Sequence, residues 1–153
     1  MENFEADTTL HPSQYLYPDD PYKTCRDESP IEKGVCTFYF PRYFLRIHPN
    51  AYDQLHTFCI ELTDETSDAC IKGMGSAAMK QWILNPTKAI DICSMVSPAQ
   101  RSYCIEGLLS YMIVHYATTK PAKELCDSTL RPNWDSVCTR MLKQGADAYL
   151  ENE

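Results

Sequence analysis

Apolar residues recur at helical spacing along most of this chain. From Cys104 onward, Ile105, Leu108, Leu109, Met112, Ile113 and Tyr116 fall on one side of a helix. Cys104, Gly107, Tyr111 and Val114 fill further positions around the same cylinder. This pattern predicts a helix buried on most sides, with His115 as a hydrogen-bonded core residue. Near the C-terminal end, Val137, Met141, Leu142, Gly145 and Tyr149 lie along one side. Thr139, Arg140, Lys143, Gln144 and Asp147 lie elsewhere, which predicts an amphipathic helix with a solvated face. Pro86, Pro98, Pro121 and Pro132 mark helix beginnings, where a missing N–H would have had no intrahelical partner. The coarse map has shorter helices over 51–60, 86–95 and 121–128. Longer ones run over 36–47, 67–84, 98–118 and 132–149.

The cysteines add a ruler to this pattern. Cys25, Cys36, Cys59, Cys70, Cys93, Cys104, Cys126 and Cys138 are separated by 11, 23, 11, 23, 11, 22 and 12 residues. Neighbouring gaps together span 33 or 34 residues, so the chain holds four copies of one repeat, each with a cysteine pair inside it. The short gap is polar and turn-like, as in Arg26-Asp27-Glu28-Ser29-Pro30, and the long gap reads as helix. Each pair therefore sits across a helix–turn–helix corner, within disulfide reach. The expected bridges are Cys25–Cys36, Cys59–Cys70, Cys93–Cys104 and Cys126–Cys138; only the repeat selects these from the 105 pairings that eight cysteines allow. Reduced cysteines serving as small core hydrophobes are the plain alternative. A zinc site fits poorly, because zinc ligands favour spacings of two to four residues.

Composition narrows the function. The 153 residues are 44% hydrophobic and 23% charged, enough to bury a core. The stretch from Cys104 to Ala117 is too short and too interrupted to cross a bilayer, so no transmembrane helix is expected. A net charge of −7 opposes attraction to a phosphate backbone, and no nucleic-acid partner is expected. Residues 1–30 hold seven of the acids against two bases, and they include Pro12, Pro18 and Pro21. Residues 1–22 are accordingly expected to be an acidic, extended arm, and residues 23–153 a disulfide-stapled helical domain. Met1 is followed by acids, unlike a secretion signal. Bridged cysteines belong to an oxidising compartment, so a leader or anchor is expected to have been removed; a cytosolic chain with reduced cysteines stays open.

A 34-residue repeat of two antiparallel helices resembles the tetratricopeptide superfamily, and the internal cysteine pair resembles its disulfide-stapled, cysteine-rich bacterial relatives. Gly73-Met74-Gly75, Ala77-Ala78, Trp82 and Lys88-Ala89 carry the resemblance in the second repeat, with Gly107 and Pro121-Ala122-Lys123 in the third. The departures are a shorter first helix, no Gly-x-Gly in the first and fourth repeats, and a wider cysteine spacing. The resemblance implies an all-α fold of four helix–turn–helix repeats, stacked as a short solenoid or a compact bundle, and a binding scaffold.

No catalytic cluster stands out, and no enzyme activity is expected. Gly73-Met74-Gly75-Ser76 lacks the lysine of a phosphate loop and the order of a nucleophile elbow, so close helix packing explains both glycines. Asp53 and His56 could supply two metal ligands without an evident third, so neither a metal nor another cofactor is expected. Ten of the 17 aromatic residues lie between positions 15 and 58, where they pack the first repeat, receive tyrosines of the arm, or face a partner. The expected function is a non-enzymatic protein- or peptide-binding module, extracellular, periplasmic or at a cell surface. Tyr39, Tyr43, Trp82 and Trp134 are the expected partner-binding anchors, on the side lined by the long helices. The alternative is a small-molecule, metal or haem binding helical protein that uses His115 or His56.

Overall fold

Ser29-Pro30-Ile31-Glu32 opens the first long helix, because proline suits the first helical position and Glu32 lies where it can reach back to Ser29. The Ser29 hydroxyl donates to Glu32 Oε2 at 2.5 Å, and the Lys33 N–H to the Ser29 carbonyl at 2.7 Å. A computed structural model describes residues 17–150, all of them helix, turn or connecting loop. In order, α1 is Lys23–Arg26, α2 Pro30–Ile47, α3 Tyr52–Glu61, α4 Asp64–Gln81, α5 Pro86–Met95, α6 Arg101–Tyr116, α7 Lys120–Leu125 and α8 Asp135–Tyr149. The all-α class expected from the periodicity is what the chain adopts. Four bridges join Cys25 to Cys36, Cys59 to Cys70, Cys93 to Cys104 and Cys126 to Cys138, with Cα atoms 5.4 to 5.9 Å apart, and no cysteine is free. Contacts divide the chain into two compact units, and the division falls inside α4, between Met74 and Gly75.

In the N-terminal unit, Tyr22 lies at the centre of an aromatic core. Its ring meets Phe40 and Phe58 edge-on, both at 5.2 Å, and Phe40 and Phe58 are 4.9 Å apart. The Tyr22 hydroxyl pairs with Thr37 Oγ1 at 3.0 Å, which satisfies two buried polar groups at once. Residues 1–16 of the expected arm lie outside the described residues. Residues 17–22 form hydrogen-bonded turns, Asp20 accepting twice from the Arg26 guanidinium at 2.8 and 3.0 Å. That guanidinium holds the Asp20 carboxyl below its ordinary range. On α4, a side chain at Gly73 would collide with the Phe38 carbonyl of α2, so this glycine permits the backbone contact.

The C-terminal unit packs α6 against α5, α7 and α8. Cys104, Ile105, Leu108, Leu109, Met112 and Ile113 form its buried stripe. Arg101 to Ile113 are all buried or half-buried, as expected of a helix covered on most sides, and exposure is confined to the last turn, at Val114, His115 and Tyr116, which corrects the expectation of His115 as a core residue. A side chain at Gly75 would collide with the Cys104 carbonyl. The fourth cysteine pair is 12 residues apart where the others are 11. A π-helical turn over Cys126–Leu130, closed by Arg131 N–H to Cys126 O at 2.9 Å, takes up the extra residue. Pro98 and Pro132 sit in the turns before α6 and α8 rather than opening them.

Arg101 ties α6 to the end of α5. It donates to the Ser94 carbonyl at 2.8 Å and twice to the Val96 carbonyl, at 3.0 and 3.2 Å. These acceptors lie at a helix C-terminus, where carbonyls lack intrahelical partners and a cation is favoured. Arg101→Ala is expected to lower stability by about 1–2 kcal/mol, read as a lower urea midpoint; an unchanged midpoint would show the cap to be idle.

Candidate binding face

Three apolar side chains stand in line on the outer side of α2. Ile31, Val35 and Tyr39 recur every four residues and are 85%, 47% and 38% exposed. The Arg42 guanidinium lies 5.3 Å from the Tyr39 ring centre, and Phe38 meets the same ring edge-on at 5.1 Å. Arg46 is exposed one turn further on. The opposite side of α2 carries Cys36, Thr37, Phe40 and Tyr43 into the core. Helical periodicity thus separates two apolar faces, and only one of them is covered.

The four expected anchors have different fates. Tyr39 is on the exposed line, while Tyr43 is 3% exposed and its ring belongs to the core. Trp82 follows α4 in the turn toward α5, half-buried, with Lys88 Nζ 4.2 Å above its ring. Leu84, in the same turn, is 94% exposed. Trp134 is the half-buried residue preceding α8, its backbone N–H donating to the Leu130 carbonyl at 2.9 Å. Tyr39 and Tyr43 thus belong to the N-terminal unit, Trp82 and Trp134 to the C-terminal one. The sequence reading misses Ile31 and Val35 because it begins the helix at position 36. Their signal is present in the Ser29-Pro30-x-Glu32 start and the spacing 31, 35, 39.

The histidines are dispersed. His115 is exposed rather than in the core, stacked with Tyr111 at 5.7 Å and edge-on to Tyr116 at 4.8 Å, because it lies in the last turn of α6, where residues 114–117 are all exposed. His56 on α3 is half-buried, and its Nε2 is shielded without a hydrogen-bond partner. Among the described residues no three His, Cys, Asp or Glu side chains converge as a metal site would need. An open cleft of about 180 Å³ between α6 and α8 is lined by Ile113, Val114, Met141, Gln144, Ala148 and Tyr149, among others. It is smaller than the ~300 Å³ at which small-molecule sites begin. No helix among the described residues is long and apolar enough to cross a membrane.

Burial also sets the acid–base behaviour of two tyrosines. It pushes the Tyr52 phenol well above its ordinary value, and it raises Tyr43 against a smaller opposing effect of the Arg46 charge. In the unfolded chain both ionise near pH ~10. The unfolded state therefore loses protons first, and stability falls as the pH rises above that value. Tyrosinate absorbance that disappears in Tyr43→Phe and Tyr52→Phe is expected to emerge only together with loss of the helical circular dichroism. Ionisation of both phenols in a folded chain would contradict their burial. Comparison with protein-family models, curated proteins and solved structures finds no match to this chain.

Proposed function

We propose that this chain is a non-enzymatic, tetratricopeptide-like helical repeat module that binds a protein or peptide in an extracellular, periplasmic or cell-surface setting. The exposed line Ile31, Val35 and Tyr39 carries the reading: it is apolar surface that the unit holds out on a helix and does not use for its own core. Pairing of all eight cysteines supports an oxidising compartment. Short bridges across helix corners also suit a binding scaffold, since a surface held rigid before association loses less entropy on binding.

Alanine replacement tests this directly. Tyr39→Ala is expected to weaken partner capture from the protein's native fluid at least tenfold, a loss typical of an aromatic anchor. Trp82→Ala and Trp134→Ala report in the same way on the C-terminal unit. Capture unchanged in all three, with helicity and disulfides intact, would remove these anchors. A visible absorption band or bound metal in the purified protein would favour the small-molecule, metal or haem alternative.

A further inference from the structure

We propose that the outer face of α2 docks against the same face of a second copy of this chain, the two α2 helices lying antiparallel about a two-fold axis at Val35. This names the partner in the binding role proposed above and rests on it. The cysteine register shows what belongs on this face. Tyr39 follows Cys36 by three residues, as Gly73 follows Cys70. Gly73 is where α4 comes up against the Phe38 carbonyl of α2. By the same register, Tyr39 stands on the side of α2 against which a further long helix would pack. That side is left with Ile31, Val35 and Tyr39 exposed. The outward face of a terminal repeat is ordinarily polar, because an apolar one associates.

The matching surface is another α2. Among the described residues, no other helix sets three large exposed apolar side chains in line. Relief fixes the direction. Exposure falls along the line from 85% at Ile31 through 47% at Val35 to 38% at Tyr39, so in an antiparallel pair the protruding end of each copy meets the recessed end of the other. Ile31 and Tyr39 lie four residues either side of Val35, so a two-fold axis there brings each opposite the other. Like charges are kept apart by the same direction. The two Arg42 residues of an antiparallel pair lie about 21 Å apart along the helices, beyond the screening length of about 8 Å at physiological salt, whereas a parallel pair sets them side by side. Arg42 and Arg46 already interact within the chain, and the pairing does not draw on them. The line is about 12 Å long at the helical rise, a small contact, so a dissociation constant on the order of 10–100 μM is expected.

Sedimentation equilibrium of the intact, disulfide-bonded chain is expected to show a dimer forming over that range. The dimer is expected to survive about 1 M salt, which would weaken a contact held by charge. Val35→Glu is expected to shift the equilibrium at least tenfold towards monomer, with helicity unchanged. Cross-linking reads the direction. Val35→Cys is expected to bridge to itself between copies, while Ile31→Cys and Tyr39→Cys bridge to each other when mixed in preference to themselves. A chain still monomeric at about 1 mM, tenfold above the expected range, would overturn the inference, and so would a dimer that Val35→Glu leaves intact. Self-bridging of Ile31→Cys and of Tyr39→Cys in preference to each other would overturn the antiparallel pairing. A monomer that dimerises only once residues 1–16 are removed would give the face to that segment and overturn the inference too. If the chain is monomeric while Tyr39→Ala still weakens capture of a different protein, the binding role survives and the second copy is wrong.

Discussion

Gly73→Ala and Gly75→Ala are each expected to destabilise the protein by on the order of 3 kcal/mol, at the upper end of what overpacking usually causes. The cause is specific to the atoms met. A methyl at Gly73 overlaps the Phe38 carbonyl and lies 3.0 Å from Pro41 Cγ; at Gly75 it overlaps the Cys104 carbonyl and lies 3.1 Å from that residue's Cα. A side chain in the way could change rotamer, but a carbonyl inside a hydrogen-bonded helix can move only if the helix moves. Gly34 is the control. It lies within α2, and a methyl there would meet nothing within 4 Å, so Gly34→Ala is expected to stabilise by about 0.5–1 kcal/mol through helix propensity alone. Urea melts separate the cases: midpoints fall by about 1–3 M for the first two at ordinary slopes and rise for the third. Midpoints unchanged at Gly73 and Gly75 would mean the helices do not approach this closely.

Removing one bridge is the second large effect. Replacing Cys93 and Cys104 together by alanine releases a short loop, and loop-closure entropy puts the loss at about 3 kcal/mol. Both residues are fully buried, so the missing sulfur leaves space as well. The same burial governs the chemistry. Every cysteine has 0% exposure, so a reductant can reach a bridge only after local opening. Thiol release from the native protein is therefore expected to level off as dithiothreitol concentration rises, because opening becomes limiting. A rate that stays proportional to reductant throughout would contradict the burial of the sulfurs.

Some of this architecture is legible because the sequence repeats its own punctuation. The even cysteine spacing identifies the helix corners, and Pro86 places the start of α5 at the residue where it begins. Other boundaries slip where two local signals compete. Ser29-Pro30 reads as a turn, although proline after serine with glutamate two residues later also opens a helix, and the turn reading hides Ile31 and Val35. Pro98 and Pro132 read as helix openings and lie in turns, since proline favours both settings. The π-helical turn leaves only a trace, the spacing of 12 in place of 11. Burial is the least legible property. An apolar pattern does not say how far along α6 the neighbouring helices reach, so it places His115 inside when it lies outside; nor does the run of aromatics on α2 say which of them the core takes, so Tyr43 is placed outside when it lies inside.

The central claim is that each helix corner carries its own bridge, which both staples the scaffold and places the chain in an oxidising compartment. Peptide mapping without reduction, on protein isolated from its native source with thiols blocked, tests it most directly. Cleavage at acidic residues separates Cys59 from Cys70 and Cys126 from Cys138; cleavage at basic residues separates Cys25 from Cys36 and Cys93 from Cys104. The expected result is no blocked thiol, a mass lower by two hydrogens for each of the four bridges, and the pairs Cys25–Cys36, Cys59–Cys70, Cys93–Cys104 and Cys126–Cys138. Free thiols, or bridges linking one repeat to the next such as Cys36 to Cys59, would contradict it.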